Sequence, residues 1–187
     1  AIQYISATEV VELLDTQLLF ELLNVPYPTT RAGVIEKLLS EKLITEGRGA
    51  YSITNLGAIL FAKKISNFPA VSRKAPRVVV YEGKDKLKTI RDVPGVKGYA
   101  VAFEGIVNFI NDQLPANEEI TKVIRETVTM YPKEAVRELV ANALIHQDFS
   151  ESGTGPMIEI FSDRIEITNP RLPLITPLRF IDEYQSR

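Results

Sequence analysis

Apolar residues along this chain recur with two periods, about 3.6 and about 2, and the switches between them mark its elements. Ser6-Ala-Thr-Glu9 has the spacing of a capping box, in which a hydroxyl and a carboxylate each satisfy a free backbone donor at a helix start. Val10, Val11, Leu14, Leu18, Leu19, Leu22 and Leu23 follow at helical spacing, so one helix is predicted up to Asn24-Val-Pro-Tyr-Pro28. Proline stops it, because it lacks an N–H and biases the residue before it away from the helix. A second helix is predicted from near Thr30, with Val34, Ile35, Leu38 and Leu39 as its apolar stripe. Leu43-Ile44 and Tyr51-Ser-Ile53 flank Glu46-Gly-Arg-Gly49 as the strands of a short hairpin with a glycine turn. Thr54 or Asn55 then caps a third helix, from Leu56 to Lys63 or Lys64.

Helix, helix, hairpin and helix in that order resemble a winged-helix module, and Ile53-Thr-Asn-Leu-Gly57 is similar to the segment that leaves its wing. The resemblance covers roughly a third of the chain and implies DNA contact through the second helix. That helix carries Arg31, Glu36, Lys37, Glu41 and Lys42, a mixed face. Two readings stay open: a DNA reader, or a winged-helix-like spacer that packs against neighbouring domains.

A proline-bearing connector from Ser66 to Pro76 leads to two expected strands, Arg77–Tyr81 and Leu87–Ile90, around Gly83-Lys-Asp85. Between Arg73 and Lys97 stand eight Lys or Arg against three Asp or Glu, which makes this the most basic stretch. It reads as an anion or nucleic-acid face, or as an edge hairpin whose lysines discourage strand-to-strand aggregation. Gly98 to Gln113 is predicted helical with Val101, Ile106, Phe109 and Ile110 inward, and Leu114-Pro115 ends it. Ile120 to Met130 fits either a helix or a strand.

Tyr131-Pro132 opens the strongest helical pattern, with proline suited to the first helical position. Val136, Leu139, Val140, Ala143 and Leu144 form its apolar stripe. Glu134, Glu138, Asn142 and His146 fall four apart and line a second, polar stripe. Such a stripe is usually the solvated face of a helix. A lone histidine at this point, His146, is expected to cap the helix end, where a donor meets free carbonyls, with a role in binding phosphate or water as the alternative. Beyond it, Ile158, Ile160, Ile165 and Ile167 alternate with polar residues, which predicts a hairpin from Met157 to Thr168.

Glu138-Leu-Val-Ala-Asn142-Ala143 resembles the N-box of GHKL ATPases, the superfamily of gyrase, histidine kinases and MutL. The resemblance implies Glu138 as the residue that activates the hydrolytic water and Asn142 as the Mg²⁺ ligand. Side chains at i and i+4 project side by side, so one can hold the metal while the other polarises a water beside it. A single asparagine oxygen suits magnesium, which keeps most of its waters. The run from Tyr131 to Pro173 is similar to the divergent ATPase domain of a family of transcriptional regulators related to the DNA helicase RecG. Members commonly carry an upstream Schlafen-type divergent AAA (AlbA-like) domain. Ile53-Thr-Asn-Leu-Gly-Ala-Ile-Leu-Phe-Ala62 and Lys97-Gly-Tyr-Ala-Val-Ala-Phe-Glu104 also resemble that family, so the likeness extends over nearly the whole chain. It implies Asn169 near the place of the base-reading aspartate, at the adenine. The chain departs from the family at Arg171, where glycine is usual, and at Gln147, where arginine is usual.

Composition narrows the chemistry. The chain has no cysteine and one histidine, which excludes disulfides, thiolate metal sites and histidine-cluster metals. No G-x-S-x-G turn accompanies His146, and no Gly-x-x-x-x-Gly-Lys-Ser/Thr loop is present to cradle a motor's phosphates. A net charge of −2 argues against wholesale nucleic-acid coating. No apolar run approaches a membrane span. The expected protein is cytoplasmic and α+β, with a winged-helix-like helical part over residues 1–66. Residues 67–187 form a mixed region holding an incomplete GHKL (Bergerat-type) α/β sandwich. The chain is expected to be an internal fragment of a longer, nucleotide-responsive regulator. Its partners are expected to be DNA, held weakly, and a second copy in a homodimer, with no membrane. ATP and Mg²⁺ are expected as cofactors of the longer protein, with none bound to this fragment. An ATPase or helicase-related enzyme and a pseudo-ATPase scaffold are the alternatives.

Overall fold

The computed structural model describes residues 2–114, 116–121, 124–147, 149 and 153–170, with the backbone alone for 116–121 and 124–129. Six α-helices and nine strands are found among the described residues, in an α+β arrangement.

The N-terminal part is organised by its caps. Strand β1 (Ile2–Ile5) precedes α1 (Ala7–Leu13), whose capping box forms as the sequence predicts. Ser6 Oγ accepts from Glu9 N, and the Ser6 backbone N–H donates to Glu9 Oε2 at 2.8 Å. The hydrogen bonds from Ser6 hold the Glu9 carboxyl below its ordinary pKa. The single helix expected from Ser6 to Leu23 is in fact two. Leu14 leaves the helix to bridge Ala62, and Asp15 caps α2 (Thr16–Leu22) through a bond from Leu18 N. The break follows from tertiary pairing: Asp15 N donates to Phe61 O at 2.8 Å and Lys63 N to Leu13 O at 3.0 Å.

Thr30 caps α3 (Arg31–Ser40), and Thr54 caps α4 (Asn55–Phe61). Between them β2 (Ile44–Gly47) and β3 (Ala50–Ile53) pair with Gly47 opposite Ala50. The two turn residues, Arg48 and Gly49, have φ of 56° and 75°. Positive φ at both central residues matches the twist of the flanking strands. Strand β1 adds to β3 antiparallel, so the small sheet runs β1-β3-β2, and β1 lay unread in the sequence. Gly57 is required here by close approach, because a Cβ would stand 2.2 Å from the Leu43 carbonyl oxygen.

Two 3-10 turns, Ile65–Asn67 and Ser72–Lys74, carry the chain to β4 (Arg77–Tyr81). β5 spans Thr89–Pro94, further along than the expected Leu87–Ile90, because it pairs antiparallel with the whole of β4. Helix α5 (Tyr99–Gln113) follows Gly98. The segment that fitted helix or strand is an antiparallel hairpin of β6 (Ala116–Thr121) and β7 (Ile124–Thr129). Helix α6 (Lys133–Ile145) has Pro132 at its N-cap, one position before the site expected for it. Strands β8 (Met157–Ile160) and β9 (Ile165–Thr168) form the expected hairpin.

β8 runs parallel to β4, with Val78 opposite Ile158 and Val80 opposite Ile160, giving a four-stranded sheet β5-β4-β8-β9. Those four residues pack with Val107 and Ile110 of α5 and Val136, Val140 and Leu144 of α6. The same apolar cluster reaches Val10, Leu38 and Phe68, so the core continues across residues 66 and 67. Leu139, expected in the core stripe, is instead exposed. It flanks a shallow cavity of about 230 Å³ shared with Tyr131, Ala135, Val136, Ile165 and Ile167. No helix among the described residues is long and apolar enough to cross a membrane.

Candidate functional site

Helix α6 places its polar stripe where the spacing predicts. Asn142 Nδ2 donates to Glu138 Oε1 at 3.0 Å, one helical turn apart on the solvent side. A carboxylate only accepts, so the amide must turn its nitrogen toward Glu138. That leaves Asn142 Oδ1 without a hydrogen-bond partner among the described residues. An exposed pair of this kind stabilises a helix by only about 0.2–0.5 kcal/mol. The backbone of α6, rather than the bond, therefore sets the positions of the two side chains.

Asn169, directly after β9, is brought to the C-terminal end of the same helix. Its Nδ2 donates to the carbonyl of His146 at 3.4 Å, while its Oδ1 is buried without a partner. His146 is the C-cap of α6, and its N–H reaches Asn142 O. The histidine thus caps by position and backbone. Its ring is exposed and makes no hydrogen bond among the described residues, contrary to the expected side-chain cap. Glu138, Asn142 and Asn169 consequently gather around the last two turns of one helix. Arg171 lies outside the described residues.

Behind this face stands a buried relay. Gln147 Nε2 donates to Tyr99 Oη at 2.7 Å and to Leu144 O at 2.9 Å, and Tyr99 Oη donates to Lys74 O at 2.6 Å. Burial pushes the Tyr99 phenol up to about 12, against a smaller downward effect of the Gln147 bond. A charged arginine in place of Gln147 would need a carboxylate inside this pocket. The neutral amide needs only the phenol and a carbonyl. Neither Tyr99 nor Lys74 stood out in the sequence, and no local pattern links positions 74, 99 and 147.

Four of the eight cations of the basic stretch are held in ion pairs among the described residues. Arg77 forms an ion pair with Asp92, Lys84 with Asp163 at 3.7 Å, Lys86 with Glu159 at 2.7 Å and Lys88 with Glu82 at 2.6 Å. Glu159 is buried and also accepts from Tyr81 Oη at 3.0 Å. On α3, Arg31 donates to Thr8 Oγ1 at 2.7 Å and Lys37 to Glu41 at 2.6 Å. Among the described residues no cluster of three or more His, Cys, Asp or Glu could hold a metal ion.

No family model and no curated protein matches the chain. Among solved structures, the chain is similar to the DIP2311 protein of Corynebacterium diphtheriae, with 16% identity and a TM-score of 0.62. The match covers 95% of this chain and 35% of that one, so the chain spans about a third of the solved protein's length. At this identity the likeness concerns the fold alone.

Proposed function

We propose that this chain is part of a nucleotide-responsive transcriptional regulator, and that α6 carries the metal end of a GHKL-type ATP site. The observation that supports it is the pairing of Glu138 with Asn142 beside Asn169 on the same helix end. The donor set fits the group. Asn142 Oδ1 is a hard, unengaged oxygen of the kind magnesium accepts. Asn169 Oδ1 is an orphaned acceptor, complementary to the exocyclic amine of adenine. Bound Mg-ATP would supply the reactive phosphoanhydride. Asn142 would hold the ion, and Glu138 would orient and polarise the attacking water. Phosphoryl transfer is mostly positioning and charge neutralisation. The 187 residues hold no Gly-x-Gly-x-Gly phosphate segment, so this chain alone neither binds ATP tightly nor hydrolyses it.

The N-terminal part fits a winged-helix-like spacer better than a DNA reader, since Glu36 and Glu41 stand among the cations of α3 and its C-cap and leave that face mixed in charge. DNA contact is accordingly weak, and cytoplasmic location goes with the regulator reading. The test is calorimetric titration of Mg-ATP into the longer protein. Asn142→Ala abolishes Mg²⁺-dependent binding, and Glu138→Ala spares binding but removes turnover. Full binding by Asn142→Ala sinks the assignment, and turnover stimulated by DNA would favour the helicase-related enzyme instead.

A further inference from the structure

A cavity of about 700 Å³ lies between α4, the connector at 69–74, Phe149 and Gly153. That is the size of a small-molecule site. Neither Glu138, Asn142 nor Asn169 lines it, so it is separate from the α6 site. Its floor is apolar, with Ile59 and Val71 buried, while Leu56 and Phe149 stand about half exposed at its edge.

The walls are held in place before any ligand arrives. Tyr99 Oη fixes the Lys74 carbonyl, and a Cβ on Gly155 would stand 2.1 Å from that same oxygen. The backbone at 155 therefore lies directly against the connector. Charge gives the polarity of the site. Arg73 and Lys74 line the cavity, and no carboxylate is found among its described lining residues. Lys74 is buried and already engaged. Arg73 is exposed and has no ion-pair partner among the described residues, and it is the cation of the basic stretch that lines this cavity unengaged. A guanidinium presents two parallel donors that match a carboxylate or phosphate.

We propose that this cavity binds a small organic acid, its flat apolar body against Leu56, Ile59, Val71 and Phe149 and its anionic head on Arg73. The site does not depend on the nucleotide reading. The probe is 2-naphthoate, titrated into ¹⁵N-labelled protein and followed by amide shifts, with the neutral 2-naphthalenemethanol as control. Saturable shifts are expected at the lining residues. Roughly tenfold weaker binding is expected for the alcohol, and for the acid with Arg73→Gln, the equivalent of one lost charge-assisted contact. Ala70→Trp, at an exposed lining position, fills the cavity and should abolish binding while leaving the thermal midpoint near that of the parent. No saturable shift at millimolar acid overturns the proposal. So does equal affinity for acid and alcohol, or binding that survives Ala70→Trp in a folded protein.

Discussion

Gln147 Nε2 meets Tyr99 Oη at 2.7 Å, and through that phenol the end of α6 is tied to the start of α5 and to the connector at Lys74. Gln147 Oε1 is buried with no partner, so this side chain is only partly satisfied. Truncation by Gln147→Ala should cost about 1–3 kcal/mol, because it opens a void and leaves Tyr99 without its donor. Gln147→Leu removes the same amide but refills the space, and should cost less. Urea denaturation of both variants decides it, and an equal loss would mean the void left by alanine carries no penalty.

Tyr99 also sets an alkaline limit. Its folded pKa is raised to about 12 by burial, from an ordinary value of 10.0. The folded state therefore holds this proton more tightly than the unfolded state. The stability it contributes is fully present below pH 10.0 and is lost as pH rises toward about 12. Tyr99→Phe should flatten that alkaline decline. Burial and the bond to Glu159 raise Tyr81 as well, so absorbance titration of phenolate should show more than one late tyrosine, and the loss of one of them in Tyr99→Phe identifies Tyr99.

Two glycines two residues apart should respond in opposite ways. A Cβ at Gly155 would lie 2.1 Å from Lys74 O and 2.5 Å from Ala75 O, both backbone atoms. A Cβ at Gly153 would meet nothing within 4 Å. Gly155→Ala should lower the thermal midpoint by several degrees, reflecting overpacking of about 1–3 kcal/mol. Gly153→Ala should leave it nearly unchanged. Similar midpoints for the two variants would refute the close packing of this segment.

Binding to random duplex DNA should be weak and salt-sensitive. Exposed ion pairs such as Lys84–Asp163 and Lys88–Glu82 are worth only about 0–1 kcal/mol, so phosphates can compete for these lysines. Lys84→Ala with Lys88→Ala should reduce the binding further, and Lys86 is spared because it neutralises the buried Glu159. Fluorescence anisotropy measures this. Nanomolar affinity at physiological salt, unchanged by the double substitution, would locate the contact elsewhere.

Elements whose causes lie within a few residues were legible in the chain. The Ser6–Glu9 capping box, the Arg48-Gly49 turn, the Thr30 and Thr54 caps and the Met157–Thr168 hairpin all follow from local chemistry. So does the Glu138–Asn142 pair, since a helix puts i and i+4 side by side whatever surrounds it. What escaped local reading depended on distant partners. Helix continuity fails at Leu14 because Ala62 pairs with it, and β1 is a strand because β3 offers it an edge. Leu139 looks like core by its period, yet it stays about half exposed at the edge of a shallow cavity.

The sequence by itself determined the kinds of element, their caps and turns, and the polar stripe on α6. Tertiary structure alone decided that β8 lies parallel to β4, that Asn169 reaches the carbonyl of His146, and that Gln147 finds Tyr99. Periodicity and capping are energies of neighbours three or four residues apart, which the chain carries in its order. Contacts between positions 77 and 157, or 99 and 147, come from apolar surfaces that must share one core. Hydrophobic burial is non-directional, so those partners are chosen by the shape of the whole fold rather than by any local pattern.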